Sequence, residues 1–144
     1  MVVHNPNNWH WVDKNCLPWS KEYFTSEFVN TEVEKDSYKF TLSSVNSVEG
    51  DCDVTQRKGR VLCIYDMTLT FGITGSKDEE SFSGTITVPE FIHDQEEDDY
   101  VFNVSSESCN SEIKSLFLPV LKQKLMKFQG DLIKAHEKDV QHTT

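Results

Sequence analysis

Val61-Leu62-Cys63-Ile64-Tyr65-Asp66-Met67-Thr68-Leu69-Thr70-Phe71 repeats with a period of two. Val61, Cys63, Tyr65, Met67, Leu69 and Phe71 form a continuous apolar set, and Leu62, Ile64, Asp66, Thr68 and Thr70 form the other. Successive side chains of an extended chain point to opposite faces of a sheet. The pattern therefore predicts a strand with the first set on the core. The second set is polar from Asp66 onward but opens with Leu62 and Ile64. A short apolar patch on the outer face of a sheet marks a candidate contact site.

Further strands flank this one. Tyr38, Phe40 and Leu42 alternate with Lys39 and Thr41, in a run expected to reach about Val48 and to break at Glu49-Gly50. Gly72 to Glu80 reads as a loop, Phe82 to Val88 as a strand ending at Pro89, and Tyr100 to Val104 as one more β segment. The acidic connection Asp94 to Asp99 reads as solvated.

Helical periods bracket the strands. Leu17-Pro18 reads as a helix start, because a proline at the first turn loses no hydrogen bond. Leu17, Phe24 and Phe28, with Tyr23 beside them, share one face, and the helix should fade near Asn30-Thr31. Trp19 fits either the core or the aromatic group that opens the chain. Ile113, Phe117, Leu121, Leu125, Phe128, Leu132 and Ala135 make the apolar stripe of a long helix, with Lys122, Lys124 and Lys127 opposite. Pro119 lies inside the stripe, so the helix should begin or bend there, and Gly130 is a second weak point. The expected fold is α+β: an N-terminal helix, a four-stranded antiparallel meander and a long C-terminal helix packed on the sheet.

A chain of 144 residues suits one domain with a genuine core, expected to span residues 1–144. No run approaches the ~20 apolar residues of a membrane span, and no basic region followed by an apolar block marks a secretion signal. Cys16, Cys52, Cys63 and Cys109 lack the spacing of a disulfide framework or zinc site and read as free thiols of an intracellular protein.

Charge is divided unevenly. From Asp78 to Glu112 there are 11 acidic residues and no lysine or arginine, so the net charge of −10 belongs to one part of the chain. Such a body repels nucleic acid and favours a protein partner. Arg57-Lys58-Gly59-Arg60 is the one dense basic cluster, immediately ahead of Leu62 and Ile64. Cations beside an apolar patch fit a docking site, with charge steering the encounter and burial holding it.

Asn5-Pro6-Asn7-Asn8-Trp9-His10-Trp11 is the second unusual stretch. Large amphipathic rings in a polar segment suit a recognition surface. His10 reads as a hydrogen-bonding imidazole in that segment ahead of a general base, and His93-Asp94 as part of a solvated loop ahead of a metal ligand. The pairs Asp51/Asp53 and Glu96/Glu97 lack the dry cleft that acid–base catalysis needs. No phosphate-binding loop, dinucleotide fingerprint, nucleophile elbow or zinc spacing is present. No catalytic residue, cofactor or metal is expected.

Two of these motifs carry a family resemblance. Asn5 to Asn15 resembles the opening signature of the N-terminal domain of the activators of the heat-shock protein 90 ATPase. Glu49-Gly50-Asp51 followed by Gln56-Arg57-Lys58-Gly59-Arg60 resembles that family's second signature. Val88-Pro89-Glu90 and Asp131 to His136 extend the likeness over essentially the whole chain. Leu17 to Lys21, Pro89 to Asp94 and Asp131 to Lys134 look closest to the short, single-domain fungal form. Arg60 stands where lysine is usual, and His93 where a long-form relative has an apolar aromatic.

The resemblance implies a cytoplasmic, non-enzymatic co-chaperone, a monomer when free. It would bind the middle domain of heat-shock protein 90 and stimulate its ATPase by remodelling the catalytic loop. Arg57, Lys58, Arg60, Leu62 and Ile64 would contact the partner. Asn5, Asn7, Asn8, Trp9, His10 and Trp11 would regulate the chaperone's cycle, and without a second domain the stimulation would be weaker than that of a long form. The competing expectation is a small-molecule carrier or enzyme with a helix-and-sheet cavity, its mouth formed by Trp9, His10 and Trp11.

Overall fold

The stretch from Val61 to Phe71 lies within strand β4 (Arg60–Lys77) of a computed structural model that describes residues 11–57 and 60–140. Its alternation holds: Cys63, Tyr65, Met67, Leu69 and Phe71 are buried, Val61 is half-buried, and Leu62 and Ile64 are exposed. With β3 (Tyr38–Arg57), β5 (Glu80–Ile92) and β6 (Asn103–Ser106), β4 forms the expected antiparallel meander. Two short strands bring the sheet to six among the described residues. β2 (Glu32–Lys35) pairs with the first residues of β3, and β1 (Trp11–Asn15) with its last. Both are brief edge strands rich in polar side chains, a composition that blunts sheet edges and conceals them from a search for alternation.

Three strands run further than their sequence implied. β3 passes through Gly50 without breaking, because glycine accepts the φ of 121° required there and a Cβ would collide with the Asp66 carbonyl. Residues 72–77, expected as loop, continue β4, and Gly75 serves close packing because a Cβ would strike the Phe82 ring. The turn is confined to Asp78-Glu79. β5 continues past Pro89 by means of a bulge. Val88 pairs with Leu69 and Phe91 with Met67, and Thr68 Oγ1 donates to the Pro89 carbonyl at 2.9 Å. A bulge spares proline the ladder bond it cannot donate. β6 starts at Asn103, while Tyr100 and Phe102 pack against the core edge. The acidic connection is exposed and contains a 3-10 turn, Glu97–Asp99.

Helix α1 (Leu17–Phe28) buries Ser20, Phe24 and Phe28, four residues apart, and ends before Asn30, whose φ is 75°. The C-terminal helix is built from α2 (Asn110–Glu112), a π turn (Ile113–Phe117) and α3 (Leu118–Val140). Pro119 therefore stands second in α3, directly after the π turn, within a longer helix that begins at Asn110. Ile113, Phe117, Leu121 and Leu125 recur every four residues, which drifts about 40° per step in an ideal α-helix. The wider π turn takes up part of that drift just ahead of the proline. At the far end the stripe passes to His136 instead of Ala135, which is exposed. Burial of His136 is tolerated because Nδ1 lies 2.9 Å from the Leu132 carbonyl and the ring stands edge-on to Trp19 at 4.8 Å.

Both helices pack on one face of the sheet, and aromatic rings fill the space between. Phe128 stacks on Phe24 at 5.0 Å and meets Tyr65 and Phe91 edge-on at 5.2 and 5.4 Å. Phe28 stacks on Phe71 at 5.6 Å. Trp19 joins this core, stacked on Tyr23 at 5.0 Å. The Tyr23 hydroxyl donates to Asp131 at 2.6 Å and Lys124 Nζ to the Glu27 carbonyl at 2.7 Å, which ties α1 to α3. All four cysteines are free thiols. No helix among the described residues is long and apolar enough to cross a membrane.

Candidate docking surface

The surface is built where the β3–β4 hairpin outruns its neighbour. β5 pairs with β4 only from Asp66 onward, so Arg60 to Ile64 project beyond its end. Three strands, β1, β3 and β4, make up this part of the sheet. Leu62 and Ile64 are 40 % and 46 % exposed on its outer face, opposite the helices. No buried strand partner covers them, because the outer face carries no second layer of helix or sheet among the described residues.

Register assembles the rest. Arg57 pairs with Arg60, Thr55 with Leu62, Asp53 with Ile64, and Asp51 with Asp66. On the other side of β3, Trp11 pairs with Arg57, Asp13 with Thr55 and Asn15 with Asp53. The end of the opening motif and the basic cluster, distant in sequence, therefore share one row of the sheet. Arg60 is exposed. Lys58, Asn5, Asn7, Asn8, Trp9 and His10 lie outside the described residues, and for Arg57 and Trp11 the description covers backbone pairing alone.

Two features of this face escape the sequence. Asp51 and Asp66 are exposed and directly opposite each other, a like-charge pair that costs stability in a sheet. They place carboxylates beside Ile64 on the side away from the arginines. Thr55, opposite Leu62, is 2 % exposed, and its hydroxyl has no hydrogen-bond partner among the described residues. Period-two alternation marks Asp66 as outward, but Asp51 and Thr55 lie past the break expected at Glu49-Gly50, and pairing across the strands is not encoded in any local pattern.

His93 is structural in this setting. Its backbone N–H donates to the Tyr65 carbonyl at 3.1 Å, and its ring Nδ1 accepts from the Tyr65 N–H at 3.3 Å. The imidazole thus closes the end of β5 against β4. Among the described residues no three His, Cys, Asp or Glu side chains gather as a metal site. Beneath the face, burial pushes the Cys52 thiol up to about 12, against the opposing hydrogen bond from Ser20. Burial likewise raises Cys63, whose sulfur accepts from Gln129 at 3.1 Å. A thiol held in its protonated form is a poor nucleophile.

Comparison with known proteins shows the family and the fold. Residues 13–136 match the family model described as Activator of Hsp90 ATPase, N-terminal. The chain is 43 % identical over 155 residues to the Hsp90 co-chaperone AHA1 of Saccharomyces cerevisiae, covering 98 % of itself and 44 % of that relative. It is 39 % identical over 153 residues to the Hsp90 co-chaperone HCH1 of the same yeast, covering 98 % of itself and 99 % of HCH1. A crystal structure of Aha-1 from Plasmodium falciparum superposes with a TM-score of 0.72 at 22 % identity, over 94 % of this chain and 95 % of that one, and shares the fold. The chain belongs to the family of the N-terminal domain of the activators of Hsp90 ATPase.

Proposed function

We propose that this protein is a co-chaperone that binds the middle domain of Hsp90 and stimulates its ATPase by acting on the catalytic loop, without being an enzyme itself. The supporting observation is the exposure of Leu62 and Ile64 on the free end of the β3–β4 hairpin, next to the paired Arg57 and Arg60. The named relatives are Hsp90 co-chaperones, which supports the choice of partner. Arg57, Lys58 and Arg60 steer and orient the encounter, while Leu62 and Ile64 supply the apolar burial that holds it. Asn5 to Trp11, whose last residue is paired with Arg57, acts on the nucleotide cycle of the docked chaperone. The protein works in the cytoplasm and is a monomer when free.

Titration of Hsp90 with this protein while ATP turnover is measured tests the reading. Turnover should rise with the parent protein and stay at its basal level with a folded Arg57→Glu/Lys58→Glu variant. Equal stimulation by parent and variant would overturn it.

A further inference from the structure

A groove of about 370 Å3 runs between residues 97–102 and the first turns of the C-terminal helix. None of its lining residues belongs to β1, β3 or β4, so it is separate from the hairpin surface. Its volume lies in the range of small-ligand sites. Tyr100, Phe102, Leu118 and Pro119 give it an apolar lining. The Tyr100 and Phe102 rings meet at 89° with centroids 6.5 Å apart, and Tyr100 is braced against Phe91 at 5.7 Å.

The two sides carry opposite charge. Glu97 lines one, continuous with exposed Glu96, Asp98 and Asp99. Lys114, in the π turn, and Lys122, on α3, line the other. Single π turns in α-helices often mark functional sites. Lys122 Nζ reaches Glu97 Oε1 at 3.9 Å, with side chains 26 % and 59 % exposed. So long and exposed an ion pair contributes little to stability, so both charges can be exchanged for those of a ligand.

We propose that this groove binds a short peptide segment in the polyproline II conformation, with proline at every third position and one basic and one acidic side chain between. Three residues per turn give such a segment three faces. Proline meets the rings, the basic side chain meets Glu97, and the acidic one meets Lys114 and Lys122. Aromatic-lined grooves suit this conformation because it is preformed and loses little entropy on binding. Its carbonyls have no internal partner, and the Tyr100 hydroxyl is available to donate to one. Burial, then the nearby Glu97, raise the Tyr100 phenol above its ordinary range, so it keeps its proton. A wholly acidic segment is repelled by Glu97 and its neighbours, and a wholly basic one by the two lysines.

The test is a 1H–15N NMR titration of the whole chain with acetyl-Pro-Arg-Glu-Pro-Arg-Glu-amide. Two control peptides replace both arginines by glutamate or both prolines by glycine. Shifts are expected at Phe102, Lys114, Leu118 and Lys122, with each control binding at least about tenfold more weakly. Lys122→Glu, a surface change, should weaken the parent peptide by a similar factor, and Phe102→Ala should do the same. The proposal is overturned by equal affinity for all three peptides, by shifts confined to residues 60–65, or by no shift at millimolar peptide.

Discussion

Thr55 and Leu62 are direct partners in the β3–β4 ladder, yet Thr55 is 2 % exposed and Leu62 40 %. As direct partners the two share the outer face of the sheet. Thr55 sits on an inner strand, with β1 on one side and β4 on the other, whereas the far edge of Leu62 lies past the end of β5. Two partners in one row of the sheet thus differ sharply in exposure.

Thr55→Val follows from that relationship. The change keeps shape and β-branching while removing a buried hydroxyl that has no partner among the described residues. Urea denaturation should show a gain of about 1 kcal/mol, the cost typical of an unsatisfied buried group. A loss of that size would mean the hydroxyl is satisfied in solution.

Leu62→Ser/Ile64→Ser should separate binding from folding. Both positions are exposed, so stability should move by no more than about 0.5 kcal/mol. Affinity for Hsp90, measured by calorimetry, should fall at least about tenfold if these side chains fill a pocket on the partner. Retention of parental affinity would remove the apolar pair from the proposed interface.

Asp51→Asn should stabilise the free protein by relieving the pair with Asp66. The gain, about 0.2–1 kcal/mol at low salt, should shrink in 1 M salt, where exposed charges are screened. Thermal denaturation at the two ionic strengths checks both the sign and the salt dependence.

Alkali should weaken the fold through the buried acids. Cys52 is raised by burial from 9.0 to about 12, and burial raises Cys63 in the same direction. An unfolded thiol ionises first, so stability is whole below pH 9 and is lost as pH rises toward 12. Between pH 8 and pH 10.5 the urea midpoint should fall for the parent, and fall less for Cys52→Ala. Identical declines in the two proteins would assign the effect elsewhere.

Phe128→Ala should be among the most damaging single changes, at about 3–5 kcal/mol. The ring touches Phe24, Tyr65 and Phe91 from three elements, and the surrounding rings have little room to close the gap. A loss under about 1 kcal/mol by urea denaturation would show that the interior repacks.

Local periodicity in the amino-acid sequence determined the elements and which faces they bury. Val61 to Phe71 announced its two faces because alternation is written in adjacent residues, and Ile113 to Leu132 its stripe because helical neighbours lie three or four positions apart. Leu62 and Ile64 were legible as an outward apolar pair for the same reason. The edge strands β1 and β2 were not, since edge strands need no apolar set, and Gly50, Gly75 and Pro89 read as breaks until their strand neighbours were known. Only the tertiary structure decided which rows those residues share: Trp11 with Arg57, Thr55 with Leu62, Asp51 with Asp66. Pairing between distant strands is a property of the closed sheet, set by the burial of one whole face and by the bulges that shift register. That is why each motif was visible in the chain and the surface they form together was not.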